Sequence, residues 1–207
     1  NKMLRERLIA CYRALYAPEY DVDRIIDETG IRARRPVREA LARMELFLSF
    51  RPGDPIQHRS WGLGIVKEVD IRSSDLIVDF LKKKGHRFDL GLAASALMKV
   101  PHEGFKAKLV IDPEGLKKMA REEPVEVIKL VLHDSPEGIS TRDLRKHIEG
   151  YAIKSDDWTK WWGKIRKAVL SDPYIDATKG ASPTLKLRTQ AVGPAEEVLD
   201  TLQSGAA

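Results

Sequence analysis

The sequence predicts an α+β protein with an N-terminal helical segment, a small β-barrel and a C-terminal unit in which helices lead into a hairpin. Three observations predict it. Apolar residues recur at helical spacing as far as Phe47. Short alternating runs, parted by Gly, Pro, Ser, Asp and Lys turns, then fill residues 51–100. After Gly138 come a helix-start signature, a tryptophan-rich helix and two more strand-like runs. The expected divisions are a helical segment at 1–48, the barrel at 49–101, a helical connector at 102–138, the C-terminal unit at 139–190 and a flexible tail at 191–207.

In the first segment Leu4, Leu8, Ile9, Tyr12, Leu15 and Tyr16 form one apolar stripe, which Pro18 stops. Asp21 is placed to cap a short helix that uses Val22, Ile25 and Ile26 and ends at Gly30. Pro36 fits a first helical turn, after which Val37, Ala40, Leu41, Met44 and Phe47 share a face. Such stripes must be buried against each other or against a neighbour. The period changes at Arg51-Pro52-Gly53-Asp54. Strands are expected at 56–58, 65–71, 76–80 and 86–90, then a helical turn at 93–96 and a closing strand at 97–100. Strands this short, joined by tight turns, predict a small SH3-like or Tudor-like barrel. The glycines at 62 and 64 are expected to let the strand bend sharply.

Residues 103–135 return to helix. Pro113 and Glu114 open a segment with Leu116, Met119 and Ala120, and Pro124 opens another that turns Val127, Ile128, Val131 and Leu132 inward. Ser135-Pro136-Glu137-Gly138 breaks the pattern. Ser140 and Asp143 outline a capping box ahead of Leu144 and Ile148. Ser155 is expected to cap a helix reaching Leu170, ended by Asp172-Pro173, with strands at 174–177 and 184–188 joined by a turn containing Gly180. Helix, helix, hairpin is the order of a winged-helix-like domain's second half, whose first helix would be 124–133. A further helical turn is expected at 195–199, within a small and polar tail.

The chain has 207 residues, 43% hydrophobic and 32% charged, which excludes wholesale disorder, a collagen-like repeat and a disulfide-stapled miniprotein. No apolar run approaches the ~18–20 residues that span a bilayer. The N-terminus reads as a charged amphipathic pattern rather than a signal peptide. Cys11 is the single cysteine, which leaves no internal disulfide and no thiolate metal cluster. A reduced, cytoplasmic protein without membrane attachment is expected. The net charge of +5 is unevenly spread: +2 over 1–48, +3 over 49–100, −2 over 101–138, +5 over 139–188 and −3 over 189–207. The two basic blocks are either contacts for nucleic acid or an acidic protein, or solvated faces.

Trp158, Trp161, Trp162, Ile165, Ala168 and Val169 lie on one side of a helical wheel, and Lys160, Lys164 and Lys167 on the other. The tryptophans read as core. The lysines are either solvated surface or a phosphate-contacting face, joined in that second reading by Lys179, Lys186 and Arg188 of the hairpin. Base readout favours Arg, Asn or Gln, which that face lacks, so backbone contact alone is expected. Lys82, Lys83, Lys84, His86 and Arg87 form a basic hairpin tip, either a soluble turn that guards a sheet edge or a contact for an acidic protein or a nucleic-acid backbone. Trp61-Gly62-Leu63-Gly64 lacks the third glycine, the lysine and the following helix of a nucleotide loop. Trp61 packs over one end of the barrel or stands out as a binding anchor. The histidines at 58, 86, 102, 133 and 147 lack metal-ligand spacing, and there is no nucleophile elbow. The paired carboxylates Glu122-Glu123 and Asp156-Asp157 fall in first turns of helices, where they complement the dipole. No catalytic residue, metal or cofactor is expected.

The block Gly53-Asp54-Pro55-Ile56-Gln57-His58, continued by Trp61-Gly62-Leu63-Gly64-Ile65-Val66, resembles the opening of small barrels that dock on RNA polymerase, found in CarD-type regulators and at the C-terminus of UvrD/PcrA-type helicases. Two further stretches extend the likeness: Val78-Asp79-Phe80 through Ala93-Ala94-Ser95-Ala96-Leu97, and Trp158-Thr159-Lys160-Trp161-Trp162 through Asp172-Pro173-Tyr174-Ile175. With these, residues 50–190 resemble the long N-terminal extensions of some bacterial Gre-type transcript cleavage factors. The resemblance implies a non-enzymatic, transcription-associated module that docks on RNA polymerase through Trp61, Gly62, Gly64, the three lysines, His86 and Arg87. It also implies a piece of a longer factor, because the acidic-tipped coiled coil and FKBP-like domain of the Gre family are not in this sequence. Two alternatives stand beside it: a nucleic-acid-binding module that uses the basic C-terminal unit, and a structural spacer.

Overall fold

The computed structural model describes residues 2–18, 20–32, 35–178, 180 and 183–193. They fall into two compact units, Asn1–Val100 and Pro101–Ala207. The first opens with α1 (Lys2–Tyr16), α2 (Val22–Thr29) and α3 (Val37–Phe47). As expected, the Asp21 carboxylate accepts the Arg24 N–H at the start of α2, and Gly30, at φ 69°, closes it. Arg5 fastens α1 to the chain beyond α2 by donating to the carbonyls of Ile31 (2.6 Å) and Arg35 (3.0 Å). The helical stripes are buried in one core with the strands that follow: Ile9, Ile25, Ile26, Met44 and Phe47 belong to the same cluster as Ile56, Val66, Leu76, Val78 and Phe80.

Those strands are β1 (Pro55–His58), β2 (Gly62–Asp70), β3 (Asp75–Phe80), β4 (His86–Asp89) and β5 (Leu97–Lys99), with α4 (Leu90–Ala96) before the last. They form one antiparallel sheet in the order β4-β3-β2-β1-β5. Alternation is cleanest in β3, where Leu76, Val78 and Phe80 are buried. In β2 it is interrupted by a bulge between Val66 and Glu68. The closed SH3-like or Tudor-like barrel expected from the sequence is not what forms, because β4 and β5 are the two open edges of the sheet. The Asp89 carboxylate accepts the Leu92 N–H and starts α4 three residues earlier than expected, which stops β4 at Asp89, while β5 begins at Leu97 as expected and pairs only with β1, through three residues. Buried Asp54 supports that return by accepting the Arg51 N–H (3.0 Å) and pairing with the Lys99 ammonium (3.2 Å).

Gly62 and Gly64 do different things. Gly62, at φ 73° with open space where a Cβ would stand, makes the turn into β2. Gly64 is buried opposite Phe80, and a Cβ there would lie 2.8 Å from Phe80 Cδ1 and 3.0 Å from the Asp79 carbonyl oxygen. Its task is the close approach of β2 to β3, not the bend expected. Gly64→Ala is therefore expected to lower stability by about 1–3 kcal/mol by overpacking, read as a drop in the urea midpoint. An unchanged midpoint would mean that the strands part freely.

The second unit comprises α5 (Phe105–Ile111), α6 (Pro113–Glu122), α7 (Pro124–His133), β6 (Ile139–Ser140), α8 (Thr141–Ile148), α9 (Trp158–Leu170), β7 (Ile175–Ala177) and β8 (Thr184–Leu187). The strands form a sheet in the order β6-β8-β7. Helix α7 is central: Val127, Ile128, Val131 and Leu132 are buried, and it touches α5, α6, α8, α9 and β8. At α8 the Ser140 cap forms, and the Asp143 carboxylate meets the Ser140 hydroxyl rather than its backbone N–H. Ser140 Oγ accepts the Asp143 N–H (3.1 Å) and donates to the Asp143 carboxylate (2.7 Å). Ser155 does not cap α9. Residues Ser155–Asp157 form a 3-10 turn leading into the helix, and the Ser155 hydroxyl is hydrogen-bonded to Glu149. On α9 Trp158, Ile165 and Val169 are buried, whereas Ala168, expected inside, is exposed. The helical turn expected at 195–199 lies outside the described residues. Among the described residues no helix is long and apolar enough to cross a membrane.

Candidate functional site

The β1–β2 connection and the β3–β4 hairpin bring Trp61, His58, His86, Phe80 and Phe88 into one aromatic cluster. His58 starts it: its Nδ1 accepts the N–H groups of Ser60 (3.1 Å) and Trp61 (3.2 Å), which fixes the tight turn before Gly62. This places the His58 ring nearly parallel to the Trp61 indole, centroids 4.4 Å apart at 22°. His86, entering β4, meets the indole at 4.0 Å. Phe80 and Phe88 lie beneath at 5.6 and 5.4 Å, and Lys83 Nζ stands 5.2 Å from the ring centroid, a cation–π distance. Trp61 is thus half-buried, both packed over the sheet and partly open.

The hairpin beyond it is held by its backbone. Phe80 and Lys83 exchange N–H···O bonds, and Gly85, at φ 62°, donates to Asp79 Oδ1 (2.8 Å). Lys82, Lys83 and Lys84 are exposed, and none of them forms an ion pair among the described residues. Arg87 is exposed as well, but it bonds to the Asp75 carboxylate at 3.0 Å. Gly64 is buried and offers a partner no surface. The sequence reading missed His58 as the organiser of this cluster. Its signal was its place three residues before Trp61 in the glycine-rich block.

Partial burial, the Lys83 ammonium and His58 together hold the His86 imidazole below its ordinary value of 6.5. The fold therefore favours neutral His86. Its contribution to stability is complete above the free-histidine value and is lost as pH falls through the lower folded-state value. The melting temperature of the first unit is expected to fall between pH 7.5 and 5, and His86→Gln is expected to flatten that fall. An equally steep fall in the variant would remove His86 as its source. The carboxylates held low, Asp70, Asp112, Asp143 and Glu149, titrate in a more acidic window.

In the second unit the basic residues are divided. Lys160 and Lys164 line a cleft together with Arg121 and Lys154, which the sequence reading had not grouped with them. Lys167 and Lys186 are exposed elsewhere. Arg188 is tied down, donating to Asp176 (3.2 Å) and to the Pro173 carbonyl (3.3 Å). Lys179 lies outside the described residues.

The order of helices and strands in this second unit is that of a helix-turn-helix module, and residues 106–192 match the GRAD helix-turn-helix domain family. A longer stretch of the chain is similar to the GreA-associated domains protein of Treponema pallidum, 26% identical over 165 residues, which is 79% of this chain and 25% of that protein. It is also similar to two proteins described as transcription elongation factor GreA. One is from Chlamydia pneumoniae, 24% identical over 183 residues, 81% of this chain and 25% of that one. The other is from Borreliella burgdorferi, 22% identical over 182 residues, 87% and 20%. The chain spans about a quarter of the length of the curated relatives it matches. No solved structure matches it.

Proposed function

We propose that the chain is a non-enzymatic accessory region of a Gre-like elongation factor, and that the Trp61 end of its sheet docks on RNA polymerase. The observation that carries this reading is the juxtaposition at that end: a half-buried tryptophan, rigidly stacked, beside three exposed lysines without ion partners among the described residues. A fixed aromatic anchor with a charged rim is the composition of an interface hot spot. The likeness to proteins named as transcription elongation factors supplies the context. Here Trp61 and Lys83 are the anchor, Lys82 and Lys84 steer toward an acidic surface, and Gly62, His86 and Arg87 shape the rim. The test is a pull-down of core polymerase on the immobilised 207-residue chain. Retention is expected for the wild type and loss for Trp61→Ala, with circular dichroism confirming that the variant folds; equal retention of both would refute the anchor.

A second reading, contact between the basic C-terminal unit and nucleic acid, is favoured by the helix-turn-helix match.

A further inference from the structure

The second unit carries a cleft between α6, the α8–α9 connection and the first turns of α9. Its cavity of ≈ 300 Å³ is lined by Arg121, Lys154, Lys160 and Lys164, with Asp157 and Trp161. A second depression of ≈ 570 Å³ continues it past Tyr151 and shares Arg121 and Lys154. None of the four cations forms an ion pair among the described residues; the carboxylates that line the trough are Asp157 and Glu114, the latter paired with Lys117. Trp161 is fixed in the wall: its Nε1–H donates to the Ala120 carbonyl at 2.7 Å, and Trp158 packs against it at 5.5 Å. Tyr151 is 42% exposed.

We infer that this trough binds single-stranded nucleic acid, with Arg121, Lys154, Lys160 and Lys164 on successive phosphates and the rings of Trp161 and Tyr151 against the bases. The inference deepens the second reading and is independent of polymerase docking. Cations that follow a backbone beside aromatic stacking platforms are the composition of single-strand sites. Asp157 points the same way. Its carboxylate accepts hydrogen bonds from base amines or hydroxyls, and an acidic peptide would leave the rings unused. The cavity is of ligand size, so it takes an extended strand unit by unit rather than the cylinder of a duplex.

The test is fluorescence anisotropy of the full chain with labelled oligo-dT, oligo-U and a duplex of the same length, at 50 and 200 mM salt. Binding of either single strand is expected to exceed that of the duplex. At three to four neutralised phosphates the affinity should fall about 20- to 50-fold between the two salts. In the variant Arg121→Gln/Lys154→Gln that ratio should drop to about 3- to 7-fold, while Lys167→Gln/Lys186→Gln should leave it unchanged. Three results would overturn the cleft. If the duplex binds at least as tightly and Lys167→Gln/Lys186→Gln weakens it, nucleic acid is met elsewhere on the unit and the second reading survives alone. If polyglutamate displaces the strand at equal charge concentration, the trough is a site for acidic protein. If no oligonucleotide binds at 50 mM salt, both the cleft and the second reading fall.

Discussion

Phe80→Ala is expected to lower the unfolding free energy of the chain by about 3–5 kcal/mol, the usual cost of emptying a buried aromatic site. Phe80 is fully buried, and little around it can close the void. On one side stands the β2 backbone at Gly64, already at the limit of approach. On the other stand Trp61, His58, Phe88 and His86, with centroids 5.6–6.2 Å away. A single domain is stable by only about 5–15 kcal/mol, so a large fraction would go. The cause is separable from generic damage by a double-mutant cycle. The new Cβ of Gly64→Ala meets Phe80 Cδ1 at 2.8 Å and the Asp79 carbonyl oxygen and Val78 Cγ1 at 3.0 Å, so the part of its cost due to the ring should vanish in the Phe80→Ala background. Urea denaturation of the four proteins gives the cycle, and strict additivity would show that the two side chains do not share the space described.

Trp158→Ala is expected to cost a similar amount, about 3–5 kcal/mol, in the second unit. Trp158 is only 5% exposed at the head of α9. It stacks flat on Trp162, centroids 5.8 Å apart at 5°, and braces Trp161. Its removal withdraws a large apolar area from α9 and loosens the ring that wires α9 to the Ala120 carbonyl. Amide hydrogen exchange is the suitable readout, because α7 and α9 should lose protection together. Loss confined to the first turn of α9 would contradict the central place given to this side chain.

These two sites also mark where the sequence was legible. Helix α2 could be read because its determinants are local: Asp21 and Gly30 act on the backbone within a turn. The inward tryptophan Trp158 and the strands β2 to β4 followed from periodicity, which burial enforces along each element. The open sheet was not legible, because nothing local in the sequence says whether the short end strands β4 and β5 pair with each other. Ala168 was misplaced because a wheel assigns a side without saying how far the neighbours reach. The two candidate surfaces were legible only in part: Trp61, His86 and the hairpin lysines could be grouped, but the way they are held together could not. His58 and His86 meet across Trp61 only once β1 to β4 are laid side by side, and Arg121 reaches Lys160 and Lys164 only through the packing of α6 beside α9.

The attachment of the Trp61 end to RNA polymerase is tested most directly by interferometry of the full chain on immobilised core polymerase at physiological salt. The wild type is measured beside Lys82→Gln/Lys83→Gln/Lys84→Gln and, as a control in the other unit, Lys167→Gln. Saturable binding is predicted with a Kd of about 10 µM or tighter, weakened about tenfold or more in the triple variant, which is about 1.4 kcal/mol, and unchanged in the control. Absence of saturation by the wild type, or a triple variant that binds as the wild type does, would contradict the account.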